Sequence, residues 1–224
     1  MSKRLKEAKA KIDREKKYAI EEAIVLVKET SKVKFDATIE IHAKLNIDPK
    51  KSDQQMRASM KLPHGTGQTK RIAAFVGEDK VKEAKEAGAI IAGGEDLINE
   101  IKKTGKTDFD IVIATPDIMP KLAVIAKILG QKGMMPNPKA GTITPDPAKV
   151  IIELNSGMVS FKNDATGNLH IAVGKVSFED KVLNENVSAF MEELKRSKPD
   201  GVKGSFIKAI YLSSSMGPSI RLGL

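Results

Sequence analysis

The chain has 224 residues, 38 Lys/Arg against 29 Asp/Glu, and 41% hydrophobic residues, a balance that supports a packed core and excludes a disordered chain. With no cysteine it has no disulfide, thiolate metal site or thiol redox chemistry. The first 19 residues hold no apolar stretch of the kind a secretory signal needs, and no run reaches the roughly 18 apolar residues of a membrane span, so a cytoplasmic protein without a membrane partner is expected.

In chain order, Ser2 to Lys17 carries eight basic and three acidic residues around Leu5, Ala8 and Ile12, which predicts a basic amphipathic helix. A second, more buried helix follows over Ala19 to Glu29. Ala37, Ile39, Ile41, Ala43 and Leu45 then alternate with Thr38, Glu40, His42 and Lys44, the period of two of a strand with one wet face. Met56, Ala58, Met60 and Leu62 repeat that pattern, and the Asp48-Pro49 turn chemistry between the two runs predicts that they pair antiparallel.

After His64-Gly65-Thr66-Gly67 the texture changes. Ile72 to Val76, Ala89 to Ala92 and Ile111 to Ala114 read as strands buried on both faces, and Asp79 to Ala87, Glu95 to Lys103, Pro116 to Leu129 and Pro147 to Leu154 as helices. Beyond Asn155-Ser156-Gly157 the wet-faced alternation returns in Leu169, Ile171 and Val173, followed by a helix over Glu179 to Arg196 and a strand over Phe206 to Leu212.

The expected architecture is α/β in two domains. An outer α+β domain, residues 1–66 plus 158–224, is built from both chain ends around a mostly antiparallel sheet, and a Rossmann-like three-layer α/β domain, residues 67–157, is inserted into it. Gly65, Gly67 and Gly157 form the expected hinge. Three consecutive units are the alternative. Charge follows the same division: residues 1–66 carry 16 Lys/Arg against 10 Asp/Glu, 67–158 carry 13 against 12, and 159–224 carry 9 against 7. The net charge of +9 points to a polyanionic partner of the two ends, with a solvated basic surface as the plain alternative.

A nucleotide-using enzyme is the competing class, because Rossmann-like sheets often bind nucleotides. Gly65-Thr66-Gly67 lacks the third glycine of a dinucleotide loop and precedes its strand, and Gly105-Lys106-Thr107 has Glu100 where a phosphate-binding loop needs its first glycine. His42, His64 and His170 stand far apart in sequence. No catalytic constellation, metal set or cofactor is expected.

The loop from Leu129 to Pro145, Leu-Gly-Gln-Lys-Gly-Met-Met-Pro-Asn-Pro-Lys-Ala-Gly-Thr-Ile-Thr-Pro, is too rich in glycine and proline to be simple filler. It resembles the signature of the ribosomal large-subunit protein one family, with Gln131 and Ala140 as departures. Lys34 to Leu45, Leu62 to Gly67 and Ser213 to Ser219 resemble three further motifs of that family, so the resemblance spans nearly the whole chain. It implies a non-enzymatic component of the large ribosomal subunit that binds the rRNA of the mobile stalk beside the tRNA exit site. It also implies contact with other ribosomal components, help in releasing deacylated tRNA, and repression of translation through the protein's own operon mRNA.

The residues expected to carry RNA binding are Lys34, Phe35, Thr38, Glu40, His170, Lys208, Ser213, Ser214, Ser215, Met216, Gly217 and Pro218. Phe35 is either a core residue or a surface for a ribose or base. Thr38 and Glu40 offer acceptors to RNA 2′-OH groups and Lys34 meets phosphate, against the plain reading of a solvated strand face. The three serines and Met-Gly-Pro are expected to form a turn whose hydroxyls read 2′-OH groups and whose Gly217 admits close backbone approach. Gly217→Val should therefore abolish RNA binding and leave stability nearly unchanged. At 4% aromatic residues and no tryptophan, a base-stacking platform for single strands is disfavoured against recognition of a folded RNA.

Overall fold

A computed structural model describes residues 3–51, 53–138, 141–199, 201–202 and 204–223. Ser2, Lys139 and Ala140, which the sequence placed in the first helix and in the proline-rich loop, lie outside the described residues. The chain folds into two compact units, one formed by the stretches up to Gly67 and from Val159 onward, the other by Gln68–Met158.

Helix α1 (Lys3–Ala10) is shorter than the expected helix to Lys17. Its continuation is captured by local polar bonds: the Asp13 carboxylate accepts from the Glu15 N–H at 3.0 Å, and the Tyr18 hydroxyl accepts from the Asp13 N–H at 2.9 Å. Such side-chain bonds compete with helical ones. Tyr18 itself is extended and bridges Leu222. Helix α2 (Ile20–Thr30) buries Ala23, Ile24, Val27 and Thr30, one helical face, and has Glu21 and Glu22 in its first turn, where the helix dipole favours negative charge.

Strand β1 (Thr38–Leu45) buries Ile39, Ile41, Ala43 and Leu45 as expected. Strand β2 (Arg57–Lys61) does not pair with it. Both edges of β1 are occupied by strands from the other end of the chain, and β2 is left to a separate two-stranded sheet. The Asp48-Pro49 turn chemistry is real, with the Asp48 carboxylate accepting from the Lys50 N–H at 3.1 Å, but it does not close a hairpin.

The Gln68–Met158 unit runs β3 (Ile72–Phe75), a 3-10 turn (Glu78–Lys80), α3 (Val81–Glu86), β4 (Ile91–Gly93), α4 (Glu95–Thr104), β5 (Ile111–Ala114), α5 (Met119–Leu122), a 3-10 turn (Ala123–Ile125), α6 (Ala126–Gln131) and α7 (Pro147–Asn155). The segment expected as one helix from Pro116 to Leu129 is thus three short pieces. The sheet order is β4-β3-β5, and both pairings are parallel. All four β3 residues are fully buried, because helices cover both faces. Ala73, Phe75, Val112 and Ala114 pack against Ile98 and Ile101 of α4 and Leu122 of α5, with Phe109 edge-on to Phe75. Ile72, Ala74 and Ile113 pack against Ala84 of α3 and Val150, Ile151 and Leu154 of α7.

The proline-rich loop finishes this unit. Met134 and Met135 pack on the α4 side, and Ile143 bridges Ala114 at the free edge of β5. Gly105, the start of the apparent phosphate loop, is instead the left-handed C-cap of α4, with φ +65° and its N–H donating to the Ile101 carbonyl.

After α7 come β6 (Met158–Lys162), which pairs with β2, then β7 (Asn168–Lys175), α8 (Asp180–Arg196), β8 (Ile207–Ser214) and β9 (Ser219–Arg221). The main sheet of the unit built from both ends has the order β7-β1-β8-β9, antiparallel throughout. On one face Ile39, Ile41, Ile171, Val173, Ile210 and Leu212 pack with Ile24 and Val27 of α2 and Leu183, Val187 and Phe190 of α8. Each such side chain contributes about 1.5–3 kcal/mol on burial, which fixes the face that turns inward. Buried Asn186 ties the motif around Gly65 to this unit: its amide donates to the Gly65 and Val173 carbonyls at 2.9 and 2.8 Å, and its oxygen accepts from the His64 N–H at 3.1 Å.

Candidate nucleic-acid interface

With α2 and α8 on one face of the sheet, the alternate residues of β7, β1, β8 and β9 line up across the other. The registers set three rows. Glu40 stands opposite Ala172 and Ser213, and Ser213 opposite Ser219; His42 stands opposite His170 and Tyr211, and Tyr211 opposite Arg221; Lys44 stands opposite Asn168 and Ala209. At the end nearest Glu40 lies a further polar group, in which the Lys175 ammonium donates to the Thr38 hydroxyl at 2.9 Å and the Ser215 N–H to the Thr38 carbonyl at 2.9 Å. Residues of β1, from one end of the chain, therefore lie between residues of β7 and β8, from the other, on one polar surface.

The middle row is a bonded network. The Nδ1 atoms of His42 and His170 lie 2.8 Å apart, and the His42 Nε2 is 3.0 Å from the Ser213 hydroxyl. One imidazole must donate to the bare nitrogen of the other, so the contact holds with at most one Nδ1 protonated. Burial first, then the neighbouring His170, pushes the His42 pKa below its ordinary 6.5, with Glu40 opposing. Glu40 lies 3.7 Å from His42, and Asp164 the same distance from His170. The Asp164 carboxylate also organises the β6–β7 turn, accepting from the Asn168 and Thr166 N–H groups at 2.7 and 2.8 Å. Those bonds hold its pKa far below the usual carboxylate range.

Next to the rows is an unusual turn. The Gly217 N–H donates to the Ser214 carbonyl at 2.8 Å, closing a four-residue turn at Ser214–Gly217. Its left-handed position is Met216, with φ +63°, the one non-glycine residue with positive φ among the described residues. That conformation is uncommon for a methionine and stores strain where the side chain is 71% exposed. Arg4 of α1 braces the turn, its guanidinium donating to the Met216 carbonyl at 3.1 Å and to the Lys32 carbonyl at 3.0 Å.

The residues singled out in the sequence separate on this surface. Glu40, His170, Ser213, Ser215 and Met216 stand on or beside the polar rows, and Lys34 and Phe35 lie exposed in the lead into β1. Thr38, expected on the wet face, is instead buried at 8% exposure, with its hydroxyl accepting from the Lys175 ammonium. Phe35 is 56% exposed, so its core reading is excluded. Ser213 lies in β8 rather than in the turn, and Ser214, which ends β8 and opens the turn, has the opposite parity: it faces the core, 4% exposed, with its hydroxyl unpartnered. Pro218 is also buried. Lys208 lies in the bulge facing Lys44 and Leu45, about 16 Å along β8 from Ser213.

Gly217 departs from its expected role. It is not left-handed, and a Cβ there would overlap the Ser214 hydroxyl and lie 3.1 Å from the Ser214 carbonyl oxygen. Substitution is therefore expected to cost stability, contrary to the sequence-based expectation. The residues that sequence reasoning passed over are Arg4, Lys175, Tyr211, Ser219 and Arg221. Tyr211 shares the parity of Ser213 and was visible in principle, whereas Arg4 and Lys175 meet their partners only through the tertiary fold.

In the Gln68–Met158 unit, the crevice beyond the carboxyl ends of β3 and β4 is the usual place for a nucleotide in such a sheet. Here it is bordered by Glu78, Glu95, Asp96 and Glu100, with Lys121 paired to Glu95. Carboxylates in that number repel phosphate. Among the described residues no group of three His, Asp or Glu side chains is placed to hold a metal ion, and no helix is long and apolar enough to cross a membrane.

The structure is thus a mixed α/β protein with one parallel sheet covered on both faces and one antiparallel sheet open on a polar face. The sequence pattern of the Ribosomal protein L1p/L10e family matches residues 27–218. Proteins named large ribosomal subunit protein uL1 are similar over nearly the whole chain: that of Mycoplasma capricolum is 50% identical over 99% of this chain and 98% of its own. The Thermosipho melanesiensis protein is 49% identical over 99% and 95%, and that of a Synechococcus strain 50% identical over 100% and 94%. The chain belongs to the ribosomal protein L1p/L10e family.

Proposed function

We propose that the protein is a component of the large ribosomal subunit in the cytoplasm and binds the folded rRNA of the subunit's mobile stalk through the open face of its antiparallel sheet. The observation that carries this reading is the polar surface to which both chain ends contribute, running from His170 and Glu40 to Ser213 and ending at the strained, exposed Met216 turn. In this reading Lys34 meets phosphate. Thr38, Glu40, His170, Ser213 and Ser215 exchange hydrogen bonds with 2′-OH groups, and Phe35 and Met216 lie against sugar or base faces. Ser214, Gly217 and Pro218 shape the turn, and Lys208 contributes charge at a distance.

Residues 1–66 and 158–224 form the RNA-binding domain of this proposal. Residues 67–157 form an arm that moves about Gly65, Gly67 and Gly157 and assists release of deacylated tRNA. The same face binds the protein's own operon mRNA and represses its translation. The full chain should bind a stalk rRNA fragment in a filter assay with an affinity that falls steeply with salt, and Ser213→Ala with Met216→Ala should lower it at least tenfold. Absence of binding, or full affinity in that double variant, overturns the assignment.

A further inference from the structure

The polar rows do not end at β9. Where Ser213 faces Ser219 and Tyr211 faces Arg221, the sheet surface opens into a cleft of about 370 Å³ between β8–β9 and the chain that leaves α1. Its charged wall consists of Lys9, Arg14 and Arg221 with Asp13, and Tyr211 and Ser219 bring hydroxyls to it.

The cations of the N-terminal segment divide into two sets. Lys11 pairs with Glu29 at 3.3 Å and Lys16 with Glu22 at 3.2 Å, both on α2. Lys9, Arg14 and Arg221 make no ion pair or side-chain hydrogen bond among the described residues. The Asp13 carboxylate is engaged with the Glu15 N–H. Three uncommitted cations thus stand around one carboxylate in a concave surface, where low-dielectric walls concentrate a positive field.

We propose that this cleft is a second RNA contact, which takes the phosphodiester backbone of the strand leaving the sheet face. The inference rests on the RNA-binding reading above and extends it from hydroxyl and base recognition to phosphate neutralisation. Lys9, Arg14 and Arg221 meet phosphate oxygens, and the Tyr211 and Ser219 hydroxyls donate to the same group or its neighbour. The contact positions the RNA without reading its sequence.

The test uses the full chain and a stalk rRNA fragment, with affinity measured by filter binding across a range of salt concentrations. Each phosphate contact contributes about 0.7–0.9 to the slope of log affinity against log salt, the lower value for a single strand. Lys9→Gln/Arg14→Gln/Arg221→Gln should therefore flatten the slope by about 2–3 and weaken binding at least tenfold at low salt, by the same factor for matched and mismatched RNA. The control Lys11→Gln/Lys16→Gln, which removes cations already paired with α2, should leave the slope unchanged. A wild-type slope in the triple variant, or an equal loss in the control, overturns the cleft and leaves the sheet assignment standing. If the Ser213 and Met216 variant keeps full affinity while the triple loses it, the sheet reading falls and the cleft stands. Failure of the unaltered chain to bind overturns both. Should the triple variant unfold, Arg14→Gln, at an exposed position outside any helix or strand, tests the same point with a slope change of about 0.7–0.9.

Discussion

Adding one methyl group at Gly217 probes the turn beside the polar rows most directly. In Gly217→Ala the new carbon would overlap the Ser214 hydroxyl and lie 3.1 Å from the Ser214 carbonyl oxygen, which already accepts the Gly217 N–H. The hydroxyl can rotate away, but Ser214 is buried at the end of β8 and its carbonyl cannot follow, so the strain falls in the lower part of the overpacking range, about 1–2 kcal/mol. Replacing glycine also restricts the unfolded chain and returns about 0.4–1 kcal/mol, leaving a small net loss. The coupling with Ser214→Ala is the cleaner quantity, because the unfolded-state gain cancels in a double-mutant cycle. Ser214→Ala alone should be neutral or stabilising by about 1 kcal/mol, since it removes a buried hydroxyl without a partner. The double variant should recover about 1 kcal/mol of the loss, roughly 2–4 °C in thermal midpoint for a chain of this size. Additive midpoints, or a Gly217→Ala protein as stable as the parent, would refute the packing argument. RNA affinity should stay low in the stable double variant if the RNA backbone approaches Gly217 closely.

Arg4→Ala removes both bonds that brace the Met216 turn and should weaken RNA binding severalfold while costing about 1 kcal/mol of stability, measured by filter binding and chemical denaturation. NMR titration of the imidazole protons should place the His42 pKa below 6.5. A folded value below the unfolded one means that stability is complete above pH 6.5 and declines as pH falls toward the lower folded value. Removing the partner in His170→Gln should raise the His42 pKa; no change would show that the imidazole contact is not formed. Asp164 behaves likewise at lower pH: its stabilisation is complete above the ordinary 3.8 and is lost as pH falls through its depressed folded value. Asp164→Ala should therefore flatten the acid limb of the stability curve, and an unchanged limb would contradict the role given to its hydrogen bonds.

Much of this molecule is local and was legible in the sequence. The two-residue period of Ile39, Ile41 and Ala43, the continuous apolar runs of β3 and β5, and the helical period of α8 each specify an element and the face it buries, because burial depends on side-chain spacing alone. The wet face with Glu40 and His42 followed from the same parity. Only the tertiary structure decided which strands meet. The turn chemistry before β2 suggested a hairpin with β1, but β7 and β8, more than a hundred residues away, took both of its edges. The assembled register then moved Ser214 into the core, set His42 against His170, and brought Arg4 to Met216 across 212 residues. Such pairings depend on the free energy of a closed sheet and core, to which every strand contributes, and no window of sequence contains it.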